Sequence, residues 1–196
     1  MRDSPHLDRL IAEAGACRLC SDLPLGPRPV LRVSATARIL IVGQAPGTRV
    51  HETGIPWNDR SGDRLRDWMG LDRETFYDSG RIAIIPMGLC YPGRDARGGD
   101  RPPRPECAPL WLDRLRPELD PALTLLVGQY AQKHLLGREW RGSLTATVGA
   151  WRDFLPRGLL PLPHPSWRNT AWLRRHPWFE ADLLPILRER VAALIG

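Results

Sequence analysis

Four short apolar segments punctuate the chain, and longer stretches of mixed polarity separate them. The first three are uninterrupted and rich in β-branched residues, a pattern typical of parallel strands that are buried on both faces. Pro161 and Pro163 interrupt the fourth, which predicts a strand at the edge of a sheet. The predicted strands span residues 38–43, 81–86, 123–128 and 158–163.

Helical patterns fill the stretches around these strands. The predicted helices span residues 5–16, 61–70, 105–119, 129–136 and 177–195. The alternation of strands and helices predicts an α/β fold, a three-layer α/β/α sandwich with a central four-stranded parallel sheet. A length of 196 residues is typical of one domain, so we expect residues 1–196 to form a single domain. Ligands of such sheets bind beyond the carboxyl ends of the strands, and candidate site residues are therefore sought in the loops that follow them.

The charge balance favours a polyanionic partner. The chain has 28 basic and 22 acidic residues and a net charge of +6, which suits nucleic acid. No apolar run approaches the roughly 20 residues that span a bilayer. The first 16 residues lack the apolar core of a signal peptide, so we expect a cytoplasmic protein with no membrane partner.

Four cysteines form one pair with close spacing and one with wide spacing. Cys17 and Cys20 are separated by two residues, whereas Cys90 and Cys107 bracket a segment rich in Pro and Gly, which is predicted to be a mobile loop. In a reducing compartment such a set favours metal ligands over disulfides. Four thiolates suit either a structural zinc ion or an iron–sulfur cluster, and buried free thiols are the alternative.

The loop after the first strand combines glycines, an aromatic residue and ionisable residues. Its sequence Gly-Gln-Ala-Pro-Gly at 43–47 lets backbone amides approach a ligand. Trp57 either stacks on a flat base or packs beneath the loop, and packing is the commoner outcome for a tryptophan. The adjacent His51 and Glu52 are candidates for positioning a water molecule, with solvated surface charges as the alternative.

The loop after the fourth strand places a histidine between two prolines, which restrict its backbone. This residue, His164, is followed by Trp167 and Arg168, a combination suited to base stacking and phosphate contacts. We expect Trp167 to be exposed and functional. Trp172 and Trp178, further along the chain, are expected to pack inward.

Together these residues resemble the uracil-DNA glycosylase superfamily, and most closely its bacterial and archaeal iron–sulfur branch, family 4. The segment 43–47 with Gly54-x-Pro56-Trp57 is similar to the first motif of the family, and His164-Pro-Ser166 is similar to the second. The cysteine spacing is similar to the ligand set of the family's [4Fe–4S] cluster. The resemblance spans residues 10–190 and implies a four-stranded parallel sheet between helices.

The resemblance implies hydrolysis of an N-glycosidic bond after a nucleotide is flipped out of DNA. It implies that His164 donates a hydrogen bond to the departing base, assisted by backbone amides near Gln44 and Ala45. Trp57 stands where the family has an aromatic that stacks on the base. The loop that enters the DNA helix and holds its backbone would contain Ser166, Trp167 and Arg168, with Arg174 and Arg175 beside it. The implied cluster ligands are Cys17, Cys20, Cys90 and Cys107.

Three positions depart from the family pattern. Pro86 stands where family 4 has an Asn that hydrogen-bonds to uracil, so either Asn58 substitutes for it or the pocket accepts another base. Ala45 stands where another branch has an Asp that activates water. The acidic residues that usually follow the first motif in the family are shifted here, because Val50 and His51 stand near their positions and Glu52 is the nearest carboxylate.

The leading hypothesis is therefore a monofunctional DNA glycosylase that removes uracil or a related deaminated base and acts as a monomer. Lys133 is the only lysine, and it lies in the predicted helix after the third strand, so a lyase reaction through a side-chain Schiff base at either motif loop is disfavoured. A protein that binds abasic or damaged DNA without turnover is the alternative on the same fold. A redox or metal-sensing α/β protein, based on the cysteines alone, is the third hypothesis.

Overall fold

A computed structural model gives the fold and describes residues 5–96 and 98–196. Its centre is a four-stranded, all-parallel sheet in the order β2-β1-β3-β4. The predicted architecture, an α/β/α sandwich around a four-stranded parallel sheet, is confirmed. The strands are β1 (Ile39–Val42), β2 (Ile82–Ile84), β3 (Leu123–Val127) and β4 (Leu159–Leu162).

The apolar runs form this sheet because both of its faces are covered. Every residue of β1, β2 and β3 is buried, and successive side chains point to opposite faces. Ile39 and Ile41 belong to the core on one face, whereas Leu40 and Val42 belong to the core on the other. A strand without a polar face is what two helical layers require.

The helices surround the sheet on both sides. On one face the helical residues Leu65 and Leu187 join the core, and on the other the helical residues Leu10 and Ala131 do so. The α-helices are α1 (Pro5–Gly15), α2 (Thr48–Thr53), α3 (Arg60–Met69), α4 (Arg73–Tyr77), α5 (Asp113–Leu115), α6 (Gln129–Leu136), α7 (Leu144–Gly149), α8 (Trp151–Phe154), α9 (Thr170–Arg175) and α10 (Leu184–Ile195). None of the helices in the described residues is long and apolar enough to cross a membrane.

The predicted helices are present, but two of them change helix type along their length. The predicted helix at 105–119 consists of a π-helical turn, α5 and a 3₁₀ turn, and the one at 177–195 begins with a π-helical turn before α10. Short helices α2, α4, α7, α8 and α9 were not predicted. Two of these five short helices begin with a side-chain cap, α4 with Asp72 on Thr75 N–H and α7 with Ser143 on Ala146 N–H, which is a local signal for a helix start.

The strand with two prolines lies at an edge of the sheet, as predicted. Backbone N–H groups of β3 and the residue after it bond to the carbonyls of Gly158 and Leu162, so alternate residues of this strand face β3. Pro161 lies between them and faces the open edge, where its missing N–H removes no ladder hydrogen bond.

The segment between Cys90 and Cys107 forms local structure where a mobile loop was expected. Arg94 and Asp100 pair in an antiparallel bridge, and the Asp95 side chain accepts a hydrogen bond from Gly99 N–H. Arg97 of this segment lies outside the described residues. The small hairpin leans over the carboxyl ends of the strands and contributes to the cleft described next.

Candidate active site

A cleft of about 600 Å³ opens beyond the carboxyl ends of the strands. Its walls come from the loop after β1, the residue Pro86 after β2, the hairpin at 94–100 and the loop after β4. The strand order places β2 and β3 on opposite sides of β1, and ligands of open α/β sheets bind at such a reversal. The strand order and the position of the cleft therefore indicate the same ligand-binding site.

Trp57 lies in the wall of this cleft with a strained backbone. Its φ of +56° is the only positive φ outside glycine in the described residues, and for a bulky residue such a φ costs ~1–3 kcal/mol. The indole lies against Gly43, where a Cβ atom would stand 2.7 Å from the ring. Partly buried and facing the cleft, Trp57 combines the two alternatives that the sequence left open.

His164 faces Trp57 across a short distance. Their ring centroids are 5.4 Å apart with an angle of 35° between the planes. Burial lowers the pKa of His164 from 6.5 to about 4, although the Asp59 carboxylate opposes this shift. The imidazole is therefore neutral at neutral pH, with one N–H donor and one acceptor. Asn169 donates to the His164 carbonyl at 2.7 Å and holds its loop.

The first-motif residues Gln44 and Ala45 line the cleft beside Pro86. Gln44 Nε2 donates to the carbonyl of Arg101 at 3.2 Å, and the Gln44 carbonyl accepts from Gly88 N–H. Within the described chain, the backbone N–H groups of Gln44 and Ala45 donate to no other protein group. These two amides are suited to an oxygen of a bound ligand.

Two carboxylates that were not predicted as site residues, Asp59 and Asp100, line the cleft. Asp59 caps α3 through a bond of 2.8 Å from Gly62 N–H to its Oδ1, while its Oδ2 lies 3.9 Å from where a Cβ at Gly47 would stand. Asp100 Oδ2 lies 4.0 Å from the same point. Desolvation raises the pKa of Asp100, and the charges of Arg94 and Arg168 oppose that effect. The cap position of Asp59 before α3 was a signal for its placement, whereas the site of Asp100 depends on a distant segment.

The three other polar candidates of the first loop lie outside the residues that line the cleft. Glu52 is exposed on α2, and its carbonyl accepts from Arg28. His51 lies 6.2 Å from the ring of Tyr91, and its buried Nδ1 has no hydrogen-bond partner in the described chain. Asn58 is bound to Arg73 through a hydrogen bond of 2.8 Å. The structure thus does not bring these residues together with His164.

The loop after β4 forms the outer rim of the cleft. Trp167 is 73% exposed at its tip, as expected for a residue that contacts a partner. Arg168 stacks on that indole at 5.6 Å and donates to the Gly98 carbonyl at 2.8 Å, which joins this loop to the hairpin opposite. Ser166 lines the cleft, and its carbonyl accepts from Arg64.

The remaining candidates of this region lie on α9 and just after it. Arg174 and Arg175 are exposed and do not line the cleft. Trp172 is buried and donates to Thr145 at 2.8 Å, and Trp178 packs partly buried against it. The inward packing predicted for both tryptophans is confirmed.

A second, smaller pocket is lined by all four cysteines. Leu89 N–H donates to Cys107 Sγ at 3.2 Å. Burial, with smaller contributions from the nearby thiols, raises the pKa of both the Cys90 and the Cys107 thiol to about 11. All four cysteines are free thiols, and they share this one pocket.

Four thiols could hold either a zinc ion or an iron–sulfur cluster. In the residues that the structure describes, no group of three or more His, Cys, Asp and Glu side chains is arranged to hold a single metal ion. Four thiols around one pocket, with an N–H donor to one sulfur, match in number and chemistry the ligands of a [4Fe–4S] cluster, which takes one thiolate at each iron.

Comparison with known families agrees with the site. A family model described as the Uracil DNA glycosylase superfamily matches residues 32–188. The matched range includes the four strands, both motif loops, Cys90 and Cys107, whereas Cys17 and Cys20 precede it. Proteins of this superfamily are DNA repair glycosylases, which are hydrolases that act on DNA. Because the match covers most of the chain, the protein belongs to the uracil DNA glycosylase superfamily.

Proposed function

We propose that this protein is a monofunctional DNA glycosylase that hydrolyses the N-glycosidic bond of uracil or a related deaminated base flipped out of DNA. The observation that carries the proposal is the pairing of a neutral His164 with Trp57 in the cleft at the carboxyl ends of the strands. An aromatic face suits a flat base, and the imidazole N–H suits the oxygen that becomes negative when the base leaves.

The reaction balances without a cofactor. The bond between the sugar C1′ and the base nitrogen breaks, and its electron pair leaves with the base. Water adds its oxygen to C1′ and loses one proton, and the base takes up one proton after departure. His164 stabilises the base anion by donating a hydrogen bond, and the amides of Gln44 and Ala45 are available for the same charge. Lys133 lies on α6 and does not line the cleft, which supports simple hydrolysis over Schiff-base chemistry.

Asp59 is the residue that we propose to orient the water. Its Oδ1 is engaged by Gly62 N–H at the start of α3, which holds the carboxylate in place, and its Oδ2 extends toward Gly47 in the cleft. Asp59 is also close enough to His164 for its charge to oppose the lowering of the imidazole pKa by burial. A carboxylate near the developing positive charge of the sugar stabilises it as well. Glu52, the candidate from the sequence, lies outside the cleft lining.

The range of bases is set by how the cleft contacts the base edge. Pro86 lines the cleft but has no side-chain donor or acceptor, and Asn58 is bound to Arg73 outside the lining. Uracil, hypoxanthine and xanthine each carry a ring carbonyl oxygen, which is an acceptor that the imidazole N–H of His164 suits. We therefore propose a deaminated base as the substrate class, with the panel below deciding among its members.

We also propose that Cys17, Cys20, Cys90 and Cys107 hold a [4Fe–4S] cluster, as in the iron–sulfur branch of the superfamily. The supporting observation is that all four thiols line one pocket. When bound, the cluster would have a structural role, because no cysteine is among the described residues that line the reaction cleft. Chemical analysis of the purified protein for iron and sulfide tests this assignment, and stoichiometric zinc would contradict it.

The test of the proposed function is a base-release assay at enzyme excess. Single- and double-stranded oligonucleotides carry one uracil, hypoxanthine or xanthine, and alkaline cleavage reports the abasic site. Removal of the His164 donor in H164A should lower the single-turnover rate by ~10²–10³-fold. The matched control is H6A, because His6 lies exposed on α1 away from the cleft.

A protein that binds abasic or damaged DNA without turnover is the second candidate, and the apolar Pro86 in the cleft favours it. The same panel separates the two proposals. If none of the three bases is released, the glycosylase proposal is contradicted. Tight binding to abasic DNA in that case, measured by fluorescence anisotropy, supports the binding protein.

A further inference from the structure

The main chain at Trp57 is held by a buried arginine that does not touch the cleft. Arg66 on α3 is 7% exposed, and its Nη1 lies 3.3 Å from the Trp57 carbonyl oxygen, to which it donates. The same nitrogen lies 3.4 Å from the Tyr77 hydroxyl. That hydroxyl donates to the Pro56 carbonyl at 2.9 Å. The consecutive carbonyls of Pro56 and Trp57 are thus held by hydrogen bonds from Tyr77 and Arg66.

A glycine at position 62 makes this arrangement possible. A Cβ atom on Gly62 would overlap the Trp57 carbonyl oxygen and would stand 2.9 Å from the Trp57 Cβ. The loop carbonyl therefore lies directly over the first turn of α3, where Arg66 reaches it from one turn further along. A left-handed φ at a tryptophan persists only where its surroundings determine it in several ways.

The burial of Arg66 points to a specific task. Its guanidinium contacts the rings of Phe76 at 5.3 Å and Tyr77 at 5.7 Å, and it pairs with Asp63 at its outer end. An apolar side chain of similar volume fills such a place without the desolvation cost of a charge. What an apolar side chain cannot supply is a donor to the Trp57 carbonyl.

We propose that Arg66, with Tyr77, is a positioning residue that aims the Trp57 indole at the base. The two side chains hold the carbonyls of Pro56 and Trp57 so that the indole lies between Gly43 and His164. This inference rests on the proposed role of Trp57 as the stacking surface for a flipped base. In the absence of the Arg66 donor the strained φ relaxes, the indole leaves the cleft wall, and the base is bound in a poorer geometry.

The test separates the position of Trp57 from catalysis. The protein is labelled with 5-fluorotryptophan, and the Trp57 resonance is identified by its loss in W57F. R66M removes the donors at similar length, R66K retains a charge with a single point-like donor group, and Y77F removes the hydroxyl. The control R188M removes an exposed arginine of α10 that donates to the Asp67 carbonyl on α3, the helix that carries Arg66.

We expect R66M to shift or broaden the Trp57 resonance without DNA and to lower the single-turnover rate of base release by about 10–100-fold, as misplacement of a positioning group does. The Kd for undamaged DNA, which places no base against Trp57, should stay near that of the parent protein, because Arg66 lies outside the cleft lining. Y77F should show a smaller change in the same direction, and R66K should recover part of the rate. R188M should match the parent protein.

Each other outcome decides the proposal. An unchanged Trp57 resonance in both R66M and Y77F overturns it, as does an equal loss in R188M. Should R66M fail to fold by circular dichroism, the resonances of Y77F and R66K decide in its place. If the parent protein releases no base, the proposed function fails, while the resonance alone still determines whether Arg66 and Tyr77 position Trp57.

Discussion

The cleft and the cysteine pocket lie on either side of one short segment, yet they are built in opposite ways. Pro86 lines the cleft, and Gly88, Leu89 and Cys90 line the cysteine pocket. The cleft holds charged side chains, free backbone amides and the one non-glycine residue with positive φ in the described chain. The cysteine pocket is apolar apart from its thiols and Arg104.

This difference in composition indicates different roles for the cleft and the cysteine pocket. Met87 and Gly88 bind through their N–H groups to the carbonyls of Gly43 and Gln44, so the segment after β2 is joined to the first motif. The hairpin that carries Asp100 into the cleft begins after Cys90 and ends before Cys107. A cluster bound at both cysteines, as we propose, would therefore anchor a wall of the cleft without supplying a reacting group.

The largest effect is expected from breaking the anchor. In C107S the proposed cluster loses a ligand, and because metal binding to such a site contributes folding free energy, Tm should fall by about 10 °C or more. The visible absorbance at about 400 nm that is typical of iron–sulfur proteins should disappear. Base release should fall along with it, since the hairpin at 94–100 loses one of its two anchors.

H164A is the matching variant in the other pocket. It should abolish most of the base release while the iron content and Tm remain close to those of the parent protein. Equal loss of iron in H164A and C107S would show that the two places are not separate.

The fold was predictable because its signal is local. Three uninterrupted apolar runs and a fourth with Pro161 are sufficient for a parallel sheet with that strand at an edge. The five unpredicted short helices are of four to six residues where the pattern is too brief for helical periodicity. The π-helical turns at 108–112 and 179–183 leave no mark on the hydrophobic pattern.

The site was only partly predictable, because some of its residues are brought in by tertiary structure. Gln44 and His164 lie in loops that directly follow strands, and Trp57 comes after the short helix α2 in the same connection as Gln44. Topology places the connections after parallel strands at one edge of the sheet. Asp100 lies 14 residues beyond Pro86 in the sequence, in a separate hairpin. Nothing in the residues around it predicts that it faces Gly47. Glu52 is close to the motif in sequence but lies on the exposed side of α2.

The next largest effect is expected from a change at the strained backbone of Trp57 in the cleft. In G62A a methyl group would overlap the Trp57 carbonyl, so the loop has to move and the indole with it. We expect base release to fall by about 10²-fold, while the absorbance of the cluster is retained. The control is G149A, because a Cβ there meets no atom within 4 Å and Gly149 also lies in a helix. A G62A protein with the activity of G149A would show that the cleft tolerates movement of Trp57.

The smallest effect is a dependence of stability on pH that belongs to the cleft alone. The folded-state pKa of His164, about 4, lies below its ordinary value of 6.5. Between these values the unfolded chain binds the proton and the folded chain does not, so acidification favours unfolding. Across that window the free energy of unfolding should fall by up to ~3 kcal/mol more in the parent protein than in H164N, whose residue 164 does not titrate. Urea denaturation of both proteins at a series of pH values measures this difference. Parallel curves would mean that the imidazole is solvated in the folded protein, and the argument for a neutral His164 facing the base would lose its physical basis.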